Sequence, residues 1–286
     1  MRLGALEAGG TKMVCAIGDE NGTILEQETF PTTTPRETMP LLIRFFREKQ
    51  VEALGIACFG PIDPDPQSET FGYILRTPKL AWRNYDIVGA FQRELSVPVG
   101  FDTDVNGSLL GEATYGAAKG IKNAVYYTIG TGIGAGIMVN GTLLHGMQHA
   151  EAGHILMRPV QGDSFPGCCP SHGACLEGMA SGPAIEARWK QKAEMLAGKS
   201  EVWELESEYL AQAMVATVLL LSPEIIILGG GVMHQEQLFP LIREKTKALL
   251  NDYMDTKQLR EMEHYIVPAK LQGRQGILGA LQLALV

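Results

Sequence analysis

Leu3-Gly-Ala-Leu-Glu7-Ala-Gly9-Gly10-Thr11-Lys12 runs directly into Met13-Val-Cys-Ala-Ile17, and Asn21-Gly22-Thr23-Ile24-Leu25 follows. The order is apolar strand, glycine–threonine turn, apolar strand and Asn-Gly hairpin signal. The chain then writes it a second time. Ala124-Val-Tyr-Tyr-Thr128 leads into Ile129-Gly130-Thr131-Gly132-Ile133-Gly134, a strand over Ala135 to Val139, and Asn140-Gly141-Thr142-Leu143-Leu144. From turn threonine to hairpin asparagine is ten residues in the first copy and nine in the second. One such match is within chance, but two turn motifs in the same order argue for a duplication, each copy opening one domain.

Both turns have the composition of a phosphate cradle. Glycine lets backbone N–H groups face phosphate oxygens, and threonine adds a hydroxyl donor. Neither is a P-loop, because a strand follows the turn and no Gly-Lys-Ser/Thr stands at the required spacing. Gly229-Gly230-Gly231 ends the apolar run Ile225-Ile226-Ile227. It offers adenine or ribose a close backbone approach, or it is simply a helix-entry turn.

Between the two turns, Thr34-Pro35 with Glu37 has the form of a capping box opening a helix. Ala53 to Phe59 reads as a buried strand ending at Gly60-Pro61, and Asp63 to Trp82 as an ordered loop. A helix over 86–95 and a strand over 97–101 deliver Asp102-Thr103-Asp104-Val105-Asn106, after which a helix runs to Tyr115. Open α/β sheets bind ligands at the carboxyl ends of their strands, which singles out Asp102 or Asp104. Further on, helices are expected from Ser181, over 206–221, over 237–250 and from Ile277, with strands over 224–228 and 265–267.

Glu151-Ala-Gly-His154 and Cys168-Cys169-Pro-Ser-His172-Gly-Ala-Cys175-Leu-Glu177 hold three of the five cysteines and two of the six histidines. His154, Cys169, His172 and Cys175 are four ligands of the kind zinc takes in a closed, structural tetrahedron. Gly167, Pro170 and Gly173 mark irregular backbone, unlike the apolar core where unligated thiols usually lie. Adjacent Cys168 and Cys169 cannot easily bridge each other. A metal fixing this loop would also fix Glu151 and Glu177, and paired carboxylates on a rigid loop suit the hydroxyls of a sugar.

At 286 residues, with 45% hydrophobic and 20% charged residues, the composition is that of a globular protein long enough for two domains. A net charge of −8 argues against nucleic acid as partner. No apolar run reaches the length of a membrane span, no basic leader pattern opens the sequence, and the cysteine usage suits a reducing compartment. A cytoplasmic protein is expected.

With these residues assembled, the chain resembles the ROK family of sugar kinases, within the superfamily that shares the actin and hexokinase fold. Glu7 to Lys12 and Ile129 to Gly134 resemble its two phosphate motifs, and Asp102 to Asn106 its catalytic stretch. Glu151 to His154 resembles its sugar motif, and Cys169 to Glu177 its zinc-and-sugar signature. Three departures stand out: Glu7 in place of the usual aspartate, Thr103 in place of asparagine, and His172 in place of a cysteine, with Cys168 left as a competing ligand. Glu7, Thr103 and the loop Thr77-Pro78-Lys79-Leu-Ala-Trp82 lean toward the fructokinase branch.

The resemblance implies two ribonuclease-H-like domains with a cleft between them. Their expected extents are 1–117 and 118–271, with the final helix, 272–286, packing back on the first. It implies phosphorylation of a hexose by ATP, D-fructose to fructose 6-phosphate foremost, with other hexoses or a non-catalytic sugar-binding regulator as alternatives. Asp104 is the implied general base and Asp102 the alternative. Glu7 would hold the waters of Mg²⁺. Gly9, Gly10, Thr11, Lys12, Gly130, Thr131, Gly132 and Gly229 to Gly231 would hold the nucleotide. Gly60, Pro61, Thr103, Asp104, Glu151, His154 and Glu177 would hold the sugar. Zn²⁺ is structural, and a homodimer is expected.

Overall fold

The computed structural model describes residues 1–285. In chain order, β1 (Leu3–Ala8), β2 (Lys12–Gly18) and β3 (Ile24–Pro31) lead to α1 (Pro35–Glu48) and β4 (Ala53–Cys58). The short hairpin β5 (Tyr73–Ile74) and β6 (Tyr85–Asp86) precedes α2 (Ile87–Leu95), β7 (Val99–Thr103) and α3 (Asp104–Tyr115). Then come β8 (Ala124–Ile129), β9 (Ile133–Val139), β10 (Thr142–Leu143), α4 (Leu176–Ala180), α5 (Gly182–Trp189) and α6 (Ser200–Leu221). The chain ends with β11 (Ile225–Gly229), α7 (Leu238–Leu250), α8 (Lys257–Arg260), α9 (Met262–Tyr265), β12 (Ile266–Pro268) and α10 (Gln275–Leu283).

Two five-stranded sheets have the same order, β3-β2-β1-β4-β7 and β10-β9-β8-β11-β12. In each, the first two strands pair antiparallel, and the first strand pairs parallel to the fourth, itself parallel to the fifth. The repeat in the sequence is thus a repeat of a whole ribonuclease-H-like unit, the actin/hexokinase-like class. One compact unit comprises residues 1–120, 143–149 and 270–286; the other comprises 121–142 and 150–269. The strap 143–149, expected in the second domain, clusters with the first.

Period-two alternation divides the first sheet between two cores. Leu6, Ala8, Met13 and Cys15 join Phe46, Phe91 and Trp82 on one face. Leu3, Ala5, Val14 and Ala16 join Ile277, Leu281 and Ala280 of α10 on the other. That second face demands small residues, for a Cβ on Gly55 of β4 would lie 1.8 Å from the Ala280 carbonyl oxygen. Unit two has one large core, in which β8 and β11 meet Trp203, Tyr209 and Met214 of α6.

Several boundaries differ from the sequence reading. β7 runs on through Thr103, so Asp102 and Thr103 end a strand and Asp104 opens a helix. Helix α6 starts at Ser200, six residues early, because Val202 and Trp203 belong to the buried face. The two Asn-Gly turns also part company. Asn140 and Gly141 both take positive φ, as a two-residue hairpin turn requires. At Asn21-Gly22 only the glycine does, and the Asp19 carboxylate closes the turn by accepting from Asn21 N and Thr23 N at 3.0 and 2.9 Å. The Thr34 hydroxyl donates to Glu37 Oε2 at 3.1 Å and makes no bond to a helix amide, so the capping box is at most half formed. No helix among the described residues is long and apolar enough to cross a membrane.

Candidate functional site

In unit one the turn between β1 and β2 closes on itself, Gly9 N–H donating to the Lys12 carbonyl at 3.0 Å. The Thr32 hydroxyl donates to the Gly9 carbonyl at 2.7 Å, so the turn is held from β3 as well. Thr11 and Lys12 stay exposed. Glu7 lies one residue short of the end of β1, half-buried; burial raises its carboxyl pKa, against the opposing pull of the Lys12 charge. A group that sequence reasoning missed also lies here. A Cβ on Gly10 would be 2.9 Å from Lys79 Cε and 3.6 Å from Nζ, which brings a mobile ammonium group to the turn. Lys79 belongs to the 77–82 loop, anchored where the buried Trp82 donates its indole N–H to the Thr33 carbonyl at 2.8 Å.

The strand end at Asp102 is a tight polar knot. Asp102 is 3% exposed. Its Oδ1 accepts from Thr103 N at 2.7 Å and from Asn106 Nδ2 at 2.8 Å, and its Oδ2 lies 2.9 Å from His145 Nε2. The Thr103 hydroxyl, expected on the sugar, is buried and caps α3 by accepting from Asn106 N at 3.1 Å. Asp104 follows as the first residue of α3, its Oδ1 accepting from Val105 N at 2.9 Å. Gly60 and Pro61, joined by a cis bond, follow β4; the next amide, Ile62 N–H, donates to His149 Nε2 at 3.1 Å.

In unit two the second turn is built like the first, with Gly130 N–H donating to the Gly132 carbonyl at 2.9 Å. Gly182 N–H, at the start of α5, donates to the Gly130 carbonyl at 2.7 Å. Glu177, expected on the sugar, accepts from Ile133 N at 3.0 Å, and a Cβ on Gly132 would meet it at 2.8 Å. It therefore ties α4 to the phosphate-type turn. Gly229 is buried and ends β11, while Gly230 takes φ 93° and Gly231 is exposed.

The cysteine-rich stretch folds back on the segment after Glu151. Leu176 N donates to Ile155 O at 2.8 Å and Met157 N to Ala174 O at 3.0 Å, which brings His154 beside Cys175. A turn closed by Gly173 N and Cys169 O at 2.9 Å adds Cys169 and His172. The ligand atoms of His154, Cys169, His172 and Cys175 all lie within 4.8 Å of one another. Cys169 Sγ is 3.8 Å from Nδ1 of both histidines, and Cys175 Sγ is 3.6 Å from His154 Nδ1. Zinc bonds of 2.3 Å to sulfur and 2.0–2.1 Å to nitrogen give a tetrahedral edge of about 3.6 Å, so the donor set and spacing fit that ion. Cys168 is exposed and outside the group. Glu151 is exposed beside it.

Two like units, each with a glycine–threonine turn, place the chain in the actin/hexokinase-like class. The ROK family profile matches residues 3–286. A Bacillus subtilis (strain 168) relative is 50% identical over 283 residues, covering 99% of this chain and 95% of that one. The fructokinase of Streptococcus mutans serotype c is 46% identical over 286 residues, covering 98% and 96%. A solved ROK hexokinase of Thermus thermophilus superposes with a TM-score of 0.82 at 25% identity, covering 100% and 98%. The chain belongs to the ROK family.

Proposed function

We propose that this protein is an ATP-dependent sugar kinase that phosphorylates the primary hydroxyl of D-fructose to give fructose 6-phosphate. The observation that carries the proposal is the 46% identity, over nearly the full chain, to the Streptococcus mutans fructokinase, with the candidate site residues inside the span 3–286 that the family profile matches. Phosphoryl transfer asks mainly for positioning and charge stabilisation, and one carboxylate by the acceptor hydroxyl suffices as base. Asp104 takes that role. The alternative, Asp102, is buried with both oxygens already engaged by Thr103, Asn106 and His145, which supports the choice.

The turns at Gly9 to Lys12 and Gly130 to Gly132 cradle phosphates, and Gly229 to Gly231 receives the nucleoside. Glu7 holds waters of Mg²⁺, an ion that keeps several waters and needs few carboxylates. His154, Cys169, His172 and Cys175 hold Zn²⁺ in a closed structural site. Both histidines turn Nδ1 toward the sulfurs, so Nε2 of His154 serves the sugar beside Glu151. Glu177 braces the second turn and reaches the sugar from its other oxygen. The protein works in the cytoplasm as a homodimer.

A coupled assay across fructose, glucose, mannose and N-acetyl sugars tests this, with Asp104→Asn alongside. Fructose gives the highest kcat/KM, since a polar site discriminates when a wrong sugar leaves its groups unpaired. Asp104→Asn loses about 10²–10⁴-fold in turnover while still binding fructose. Glucose or mannose matching fructose would overturn the substrate, and a fully active variant the base.

A further inference from the structure

His145 lies outside the two glycine–threonine turns, the Asp102 to Asn106 stretch and the cysteine-rich segment. It sits on the strap between β10 and the cysteine-rich region, a seven-residue excursion that clusters with unit one. The strap is a tight turn: Gly146 N donates to Gln148 O at 3.0 Å, and His145 and His149 form an antiparallel bridge. Met147 at its tip is fully exposed, so apolar burial does not hold it. Polar contacts at its two arms do. His149 Nε2 accepts from Ile62 N at 3.1 Å and Gln148 Nε2 donates to Ile62 O at 3.4 Å, next to Gly60-Pro61. His145 Nε2 meets Asp102 Oδ2 at 2.9 Å, two residues from Asp104.

We propose that His145 is a positioning residue for phosphoryl transfer: through Asp102 it fixes the backbone turn from which Asp104 acts. This rests on Asp104 being the base. The chain of bonds is short. His145 holds one Asp102 oxygen, the other holds Thr103 N and Asn106 Nδ2, and Thr103 Oγ1 holds Asn106 N. The strand end and first helical turn around Asp104 are thereby locked from both sides. Losing His145 leaves Oδ2 of a buried carboxylate without that donor, and the carboxylate must rotate or take up water. Rotation frees the Asn106 amide and the Thr103 peptide from Oδ1, and a water at Oδ2 holds the carboxylate less firmly than the imidazole does; in both cases the turn that carries Asp104 loosens. The same bond raises the pKa of His145, favouring the charged imidazole and balancing the Asp102 charge.

The test compares full-length wild type, His145→Ala, His145→Gln and Asp104→Asn with ATP and fructose, recording kcat, both KM values and the thermal midpoint. His145→Ala is expected to lose about 10–10²-fold in kcat, the cost of a small misplacement of a reacting group. Both KM values stay within about twofold, because ground-state binding is untouched. His145→Gln recovers most of the loss, since its amide can donate to Asp102 in place of Nε2. Wild-type kcat in His145→Ala beside an inactive Asp104→Asn overturns the proposal and leaves the base standing. A raised fructose KM at unchanged kcat overturns it too, making His145 a sugar contact. Equal losses in both His145 variants that follow the thermal midpoint make it merely structural. An active Asp104→Asn overturns the base and the proposal together.

Discussion

Each unit buries one glutamate in its interior, and the two are held in opposite ways. Glu112 of α3 is 0% exposed, and its carboxylate accepts three backbone N–H bonds: from Ala117 at 2.7 Å, Lys270 at 2.9 Å and Leu271 at 3.1 Å. Those donors flank residues 120/121 and 269/270, where the chain passes from one unit to the other. Glu206 of α6 is 1% exposed, yet its Oε1 has no hydrogen-bond partner among the described residues. Burial pushes its pKa well above the carboxylate range, against the pull of the nearby Arg188. Arg188 meanwhile pairs with Asp163 at 3.3 Å, which also accepts from the Tyr209 hydroxyl at 2.6 Å. The same side chain at the same depth is a pin in one unit and a liability in the other; the donors around it decide which.

The same contrast extends to the sites. Unit one steadies the Asp102 to Asn106 stretch with carboxylate, amide and imidazole hydrogen bonds, whereas unit two gathers thiols and imidazoles that suit a metal. The sharpest way to break the comparison is therefore Cys169→Ser. Metal content should fall from about one equivalent per chain to near zero, as loss of one of four ligands implies. Kinase turnover should fall by about 10–10²-fold, while Cys168→Ser keeps both metal and activity. Metal retained in Cys169→Ser, by metal analysis, would move the ligand set to Cys168.

Glu112→Ala is next. One buried amide, that of Leu271, and two part-buried ones lose their acceptor. At about 1–3 kcal/mol for an unsatisfied buried group and less where water can reach, the loss should come to about 2–3 kcal/mol. Urea unfolding followed by probes in each unit would read it, and an unchanged midpoint would show that water replaces the carboxylate. The smallest effect is Glu206→Gln, and its sign is the reverse. A carboxyl whose folded pKa is raised keeps its proton while the unfolded one ionises above about pH 4.3. Its contribution to stability is therefore lost as pH rises from there toward the folded pKa. Replacing it with an amide should stabilise the protein by about 1 kcal/mol near neutrality and by nothing near pH 4. A variant less stable than wild type at pH 7, in thermal melts, would mean that Glu206 is needed ionised beside Arg188.

Much of this was legible in the residues themselves. Apolar runs next to glycine–threonine turns marked β1, β2, β8 and β9, because strand alternation and turn chemistry are local. That His154, Cys169, His172 and Cys175 gather in one cluster was legible for the same reason, since the chemistry of a metal site limits both residue type and spacing. Helices α8 and α9 were not legible: four residues apiece, they carry too few turns for a periodicity. Thr103 misled in an instructive way. Threonine before a helix caps it as readily as it contacts a ligand, and only its burial and the 3.1 Å bond to Asn106 N separate the two.

The sequence by itself determined that this chain repeats one strand–turn–strand pattern, that its second half carries histidines and cysteines at a spacing that suits a metal, and that Asp102 and Asp104 stand at a strand end. Each of these lies within a few residues of chain, where spacing and side-chain chemistry suffice. Only the tertiary structure decided that Asp102 is engaged by His145, 43 residues away, and that Lys79 reaches Gly10. It alone joined Glu177 to Ile133 and Glu112 to Lys270 and Leu271. These contacts connect residues whose spacing in sequence carries no signal. They exist because a buried carboxylate must find donors, and the fold decides which donors lie within reach.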